Sequence, residues 1–309
     1  MKIVLSGATG FIGRHLVETL SREAHTLMVL TRHPSGRGGT ESLKFETWDA
    51  KNLGAWVEQM EGADALINLS GESIAARRWS PEQKKRIYAS RIDAAKALVQ
   101  ALAKARQRPK VLINASAVGY YGNVEQGEVT ESCGKGRGFL ADTCDQWEKE
   151  ARVAEIVGTR VVLARFGVVL EKEGGALQKM LPPFQFFMGG PLGSGRQWFP
   201  WIHREDAVRS LLFCLQTPSI SGPVNVASPE PVRLKEFCTI LGKVMNRPSW
   251  APVPAFVLKI LLGEMSEMLL TGQRALPKKL IEAGFEFRYP KLEGALSEIL
   301  NENDSNKPK

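Results

Sequence analysis

Three glycines spaced three residues apart, Gly7, Gly10 and Gly13 in SGATGFIG, are the first residues of the chain whose pattern implies chemistry. They stand between an apolar run, KIVLS, and a stretch with helical spacing, FIGRHLVETLSRE, in which Ile12, Leu16, Val17 and Leu20 repeat along one face. At the first position glycine permits a tight turn. At the second it lets the backbone approach a pyrophosphate, and at the third it lets the helix pack close to the strand. The N–H groups opening the helix then face the phosphate charge. Thr9, Phe11 and Ile12 share this turn and are expected to touch the same ligand. The spacing is GxxGxxG rather than GxGxxG, so the strand–turn–helix context carries the reading.

An NAD site normally follows with a carboxylate about 20 residues on, bonding the ribose hydroxyls. No acidic residue lies between Ala24 and Thr40, where Arg32, His33 and Arg37 stand instead. A guanidinium grips a 2′-phosphate that a carboxylate would repel. The expected cofactor is therefore NADP, with Arg32 at the strand end as its contact, while His33 and Arg37 read as solvated charges. Asp49, after the third apolar run, is placed to reach the adenine. Ser70, Gly71 and Glu72 in NLSGE are placed beside the ribose.

The elements that must position these residues alternate. TLMVLTR, LKFETWD, ADALINLSG, VLINASAV and TRVVLARFG read as further strands. A long helix begins near Ser80, a plausible N-cap, with Pro81 at the first helical position. The pattern predicts an α/β fold, a doubly wound parallel sheet, over residues 1–170. A smaller C-terminal substrate segment is expected over 171–300, and a disordered tail over 301–309. In the second segment GGPLGSGRQWFP reads as loop, GPVNVASPEPV as a strand and turn, and LKEFCTILGKVMN and QRALPKKLIEAG as helices.

Composition narrows the function classes. The chain has 309 residues and a net charge of +8, from 41 Lys+Arg against 33 Asp+Glu. The excess is spread along the sequence, which suits a solvated surface or an anionic small molecule and makes nucleic acid an unfavoured partner. Cys133, Cys144, Cys214 and Cys238 form no CxxC pair and no metal-like cluster with the four histidines. Unpaired thiols and an opening directly on MKIVLSG lead to the expectation of a cytoplasmic protein with no secretory signal. The apolar stretch VPAFVLKILLGEM is interrupted by Lys259 and is too short to span a bilayer.

GATGFIG, NLSGE, SAVGYYG and GSGRQWFPWIHREDAV together resemble the extended short-chain dehydrogenase/reductases, the sugar-nucleotide epimerases and dehydratases. GGPLGSGRQ and GQRALPKKL make the chain more similar still to the atypical "epimerase family" branch, some of whose members are labelled cell-division inhibitors. The resemblance covers nearly the whole chain. It implies a Rossmann-like extended fold and a serine at the end of the fifth strand, matched by Ser116, that polarises a substrate oxygen. It also implies a tyrosine and a lysine one turn apart on the next helix. The tyrosine transfers a proton, and the lysine tunes it and holds the nicotinamide ribose.

That pair is missing. Anchored on Glu148, the matching positions in RGFLADTCDQWEKE are Leu140 and Cys144. None of Tyr88, Tyr120, Tyr121 and Tyr289 has a lysine four residues on. Leu140, Cys144, Trp147, Ala151 and Ala154 fall on one helical face, so Cys144 reads as a small buried hydrophobe and Asp142 and Asp145 as solvated. Tyr120 and Tyr121, just after Ser116, are the substitute proton donors to test. His203 matches a family position near the substrate, with a structural role bonded to Asp206 or to backbone as its alternative. Arg165, Arg196 and Arg274 are candidates for a substrate anion such as phosphate or carboxylate. Trp198 and Trp201 either stack on a flat ring or fill a core. The 167–205 and 272–285 segments are expected to close over the substrate.

Two readings stand. In one the chain is an NADP-dependent oxidoreductase or epimerase-like enzyme using Ser116 and a substitute acid on an anionic or sugar-nucleotide-like substrate. In the other it is a catalytically weak NADP-binding sensor or regulatory protein linked to cell division.

Overall fold

The computed structural model describes residues 1–34 and 38–301; Arg37 and the tail from 302 lie outside the described residues. The described residues divide into two compact units. One comprises Met1–Tyr120, Asp142–Arg165 and Val208–Val224. The other comprises Tyr121–Ala141, Phe166–Ala207 and the described residues from Asn225 onward.

In the first unit, β1 (Lys2–Ser6), β2 (Thr26–Thr31), β3 (Leu43–Thr47), β4 (Ala65–Asn68) and β5 (Val111–Ala117) pair in parallel wherever they adjoin. With Arg160–Phe166 and Gly222–Val226 they make a seven-stranded sheet. Its order from the outer edge is β3, β2, β1, β4, β5, Arg160–Phe166 and Gly222–Val226. Strands such as β4, ALIN, are buried along their whole length because helices cover both faces of such sheets. The order reverses between β1 and β4, and the carboxyl ends of these strands flank the crevice where such sheets bind ligands.

Helix α1 (Phe11–Ser21) follows β1 and buries Gly13, Leu16 and Leu20. Helix α2 (Pro81–Lys104) starts as its sequence predicts. The Ser80 side chain accepts from the Gln83 N–H, and Pro81 occupies the first turn, where its missing N–H costs nothing. Helix α3 (Phe139–Arg152) buries Cys144, Trp147 and Ala151, and Ala154 in the turn beyond it. The core of this unit joins Val4, Leu66, Leu98, Leu112 and Leu163 with Trp48 and Trp56.

In the second unit a separate core collects Leu177, Phe184, Trp201, Phe237 and Leu296. QRALPKKLIEAG is not one helix. Gln273–Ala275 is a strand paired in parallel with Val124–Val129, and only Lys278–Glu282 is helical. Pro277 explains the break, since a proline drives the residue before it toward extended backbone. Gly272, just before that strand, packs so closely on Trp198 that a Cβ there would lie 2.0 Å from its carbonyl oxygen. GGALQKMLPPFQ contributes the helix Gly175–Gln185 despite Pro182 and Pro183. VPAFVLKILLGEM supplies the helix Ala255–Leu262, and no described helix is long and apolar enough to cross a membrane.

Candidate functional site

The three glycines of the first loop have different physical reasons. Gly7 has φ +72°, and a Cβ there would lie 2.4 Å from Leu69 of the loop leaving β4. Gly13 packs so closely on the loop that a Cβ would meet the Gly7 oxygen at 2.4 Å. Gly10 is under no such constraint. Its φ of −82° is open to any residue, and a Cβ would meet only the Gly7 oxygen, at 3.2 Å. The face of Gly10 is otherwise open, and a side chain there would stand over the start of α1. Gly10 caps α1, no side chain caps the helix, and its first turn has no acidic residue. The opening N–H groups of α1, at Phe11, Ile12 and Gly13, and the helix dipole thus favour an anion. A dinucleotide pyrophosphate fits this donor set.

Arg32, just past β2, is exposed and in no ion pair among the described residues. Asp49 is also exposed, but its carboxylate is occupied within its own loop. It accepts from the Asn52 and Lys51 N–H groups at 2.8 and 2.9 Å and from the Asn52 amide at 2.6 Å. These bonds, led by that from the Asn52 N–H, hold its carboxyl below the usual range. Asp49 therefore shapes the turn after β3.

The Ser70–Glu72 loop is fixed from beneath by residues that sequence reasoning did not single out. Asn68 accepts from Ser6 Oγ at 2.7 Å and from the Ser70 N–H at 3.0 Å, and donates to Asn114 Oδ1 at 2.6 Å. These buried residues link the ends of β1, β4 and β5. From α2, Ser90 Oγ accepts the Glu72 N–H at 3.0 Å, Gln83 donates to the Glu72 carboxylate at 2.9 Å, and Arg91 donates to the Glu72 carbonyl at 3.0 Å. A Cβ on Gly71 would come within 3.2 Å of the Arg91 guanidinium.

The face that replaces the tyrosine–lysine pair has its own polar centre. Ser116, at the end of β5, donates its hydroxyl to Glu148 Oε1 at 2.7 Å. Arg165, from Arg160–Phe166, grips the same carboxylate through Nε and Nη2, each at 2.7 Å. All three are buried. Arg165 is therefore committed to Glu148 and not presented to a substrate anion. Its guanidinium carbon also lies 3.6 Å from the centre of the Tyr120 ring. Cys144 contacts Ser116, and burial, with the Glu148 charge second, pushes its thiol up to about 11. The thiol is neutral near pH 7, as its apolar face implies. Nothing in its sequence neighbourhood marks Glu148 itself for this role. The signal that could have found its role is the lone arginine of VVLARFG, since a charge in a buried strand requires a partner.

Tyr121 is buried and its hydroxyl donates to Asn225 at 2.7 Å, a structural commitment. Trp201 is in the core, its indole N–H bonded to the Glu230 carbonyl at 3.0 Å. Buried His203 takes the structural alternative. Nδ1 accepts the Glu205 N–H at 3.1 Å, which leaves Nε2 to donate to Glu298 at 2.7 Å. Its partners are thus Glu298 and backbone. Asp206 instead accepts the Arg288 and Tyr289 N–H groups at 2.8 and 2.7 Å. Burial lowers the His203 pKa to about 4.

Arg274 shares the Trp198 ring with Arg233, a residue outside the sequence candidates, whereas exposed Arg196 meets Arg233 only through its backbone carbonyl. Arg233 lies 3.8 Å and Arg274 5.3 Å from the Trp198 ring centre. Arg233 also donates to the Arg196 carbonyl. Arg274 pairs with Glu128 at 3.0 Å, and its Nε is buried with no hydrogen-bond partner among the described residues. The described residues contain no cluster suited to a metal ion.

A sheet whose strand order reverses at β1, with a glycine turn entering a helix at that reversal, defines the Rossmann-like class of dinucleotide-binding folds. Within that class the chain belongs to the epimerase family. Residues 3–138 match the NAD dependent epimerase/dehydratase family, and residues 253–299 match a domain of unknown function, DUF1731. The chain is 44% identical over 310 residues to the chloroplastic epimerase family protein SDR39U1 homolog of Arabidopsis thaliana, covering 97% of this chain and 87% of that protein. It is 42% identical to the epimerase family protein YfhF of Bacillus subtilis, covering 97% and 98%. The crystal structure of human epimerase family protein SDR39U1 (isoform 2) with NADPH superimposes with a TM-score of 0.88 at 32% identity, covering 98% of this chain and 100% of that one.

Proposed function

We propose that this chain binds NADP(H) and is an oxidoreductase or epimerase-like enzyme acting on an anionic, sugar-nucleotide-like substrate. The observation that carries the cofactor is the uncapped N-terminus of α1 behind the open face of Gly10. The exposed Arg32, with no acidic residue beside it in sequence, favours the 2′-phosphate, and the NADPH bound to the human relative supports the choice. When bound, a reduced nicotinamide supplies a hydride. The arginines around Trp198 supply positive charge and a flat ring suited to the substrate class. The four free cysteines suit a reducing compartment such as the cytoplasm.

A second reading, of a catalytically weak NADP-binding sensor or regulatory protein linked to cell division, is favoured by one observation. The Ser116 hydroxyl proton is already given to Glu148.

Calorimetry with NADPH and NADH tests the cofactor. NADPH is expected to bind more tightly, and Arg32→Ala to lose about 1.5–3 kcal/mol of NADPH binding with little effect on NADH. Equal affinity of the wild type for both sinks the NADP assignment.

A further inference from the structure

We propose that Tyr120 and Arg165 form a relocated phenol–cation pair that does the work vacated at Leu140 and Cys144. Tyr120 donates the proton, and Arg165, held by Glu148, positions it. The proposal rests on the enzyme reading above.

Tyr120 lies in the single turn Val118–Tyr121 that directly follows β5 and Ser116. The neighbouring strand of the sheet, Arg160–Phe166, carries Arg165. The guanidinium carbon stands 3.6 Å from the Tyr120 ring centre, inside cation–π range. Arginine keeps its charge under all ordinary conditions, so this cation is permanent. Its two bonds of 2.7 Å to Glu148 fix the plane that covers the ring. Tyrosine and lysine one helical turn apart supply a phenol and a cation. Here the two parts come from the end of one strand and from its neighbour. Ser116 donates to Glu148 and Tyr121 to Asn225.

In the step proposed, Tyr120 gives its O–H proton to a substrate carbonyl oxygen as a reduced nicotinamide delivers hydride to the carbonyl carbon. The π electron pair of the C=O bond moves to oxygen and takes the proton. The products are an alcohol, the oxidised nicotinamide and a tyrosinate, which regains its proton from water. Arg165, against the ring face, stabilises the charge left on the phenolate.

Fluorine NMR of the full chain carrying fluorotyrosine gives the readout independent of activity. The chain has four tyrosines, and Tyr120→Phe assigns the Tyr120 signal. Adding NADP+ should move that signal and leave the Tyr289 signal in place. If NADP+ binds by calorimetry and the Tyr120 signal stays still, the proposal fails and the cofactor reading survives. If NADP+ does not bind, the cofactor reading itself fails. In NADPH oxidation assays with diacetyl, nitrobenzaldehyde and phenanthrenequinone as probes, Tyr120→Phe should lower kcat about 100-fold or more, with NADPH affinity changed less than about twofold. The paired change Glu148→Gln with Arg165→Gln keeps neutral hydrogen bonding and deletes the cation. It should lower kcat and alter the pH profile without raising KM for NADPH. A wild type that binds NADPH yet turns over none of the probes, or turnover that survives Tyr120→Phe, overturns the proposal.

Discussion

Arg165 and Glu148 meet through two hydrogen bonds of 2.7 Å, with side chains only 3% and 5% exposed. At such burial the pair has little value as a source of net stability, but breaking it is costly. One partner alone is a desolvated charge with no compensation.

Glu148→Leu is therefore expected to destabilise the chain by about 3–5 kcal/mol, because Arg165 is left buried and unpaired. Glu148→Leu with Arg165→Met should recover most of that loss. Urea unfolding of the single and double variants measures it. Additive losses in the double variant would refute the pairing argument.

The glycine loop should separate folding from binding. Gly7→Ala forces a side chain into φ +72° and a 2.4 Å approach, and Gly13→Ala meets backbone at 2.4 Å. Each should cost about 2 kcal/mol or more in unfolding experiments. Gly10→Ala should stay within about 1 kcal/mol of the wild type yet lose about tenfold or more in NADPH affinity. A Gly10→Ala chain with unchanged affinity would remove the phosphate role.

His203 gives a pH signature. Its folded-state pKa of about 4 lies below the ordinary 6.5 because burial outweighs the carboxylates of Asp206, Glu171 and Glu205, with Arg204 adding to the lowering. Glu298 faces Nε2 and also favours the charged ring, but protonating Nδ1 would break its bond to the Glu205 N–H. The unfolded chain takes up a proton first as pH falls. The His203 contribution is thus fully present above pH 6.5 and is lost between 6.5 and about 4, by at most on the order of 3 kcal/mol. His203→Gln should flatten that part of the stability–pH curve, as read by thermal melts. An unchanged slope would contradict it.

Thiol labelling should discriminate among the cysteines. Cys133 is partly exposed, whereas Cys144, Cys214 and Cys238 are buried, and Cys144 titrates only near 11. In the native chain at pH 8, iodoacetamide should modify Cys133 first and leave Cys144 unmodified until unfolding. Peptide mass spectrometry reads the order. Equal rates at Cys133 and Cys144 would show an open, reactive thiol instead.

The sequence by itself determined what is local. β1, the glycine turn and α1 are contiguous, so apolar runs, helical spacing and three glycines were enough to place them. Ser80 and Pro81 announced the start of α2, and the apolar stripe of α3 showed that Cys144 is buried. The loss of the tyrosine–lysine pair was equally visible, because both positions lie on one helix. Only the tertiary structure decided how the polar groups are used. Glu148 lies 32 residues from Ser116 and 17 from Arg165, on different elements, and their meeting is set by packing of α3 on the sheet. The same holds for Asn68 between Ser6 and Asn114, and for Arg233 against Trp198. Pattern fixes which face of an element is buried. It does not say which buried donor meets which acceptor, because that depends on strand order and the approach of distant elements, and this is why Arg165 read as a substrate ligand and proved to be the partner of Glu148.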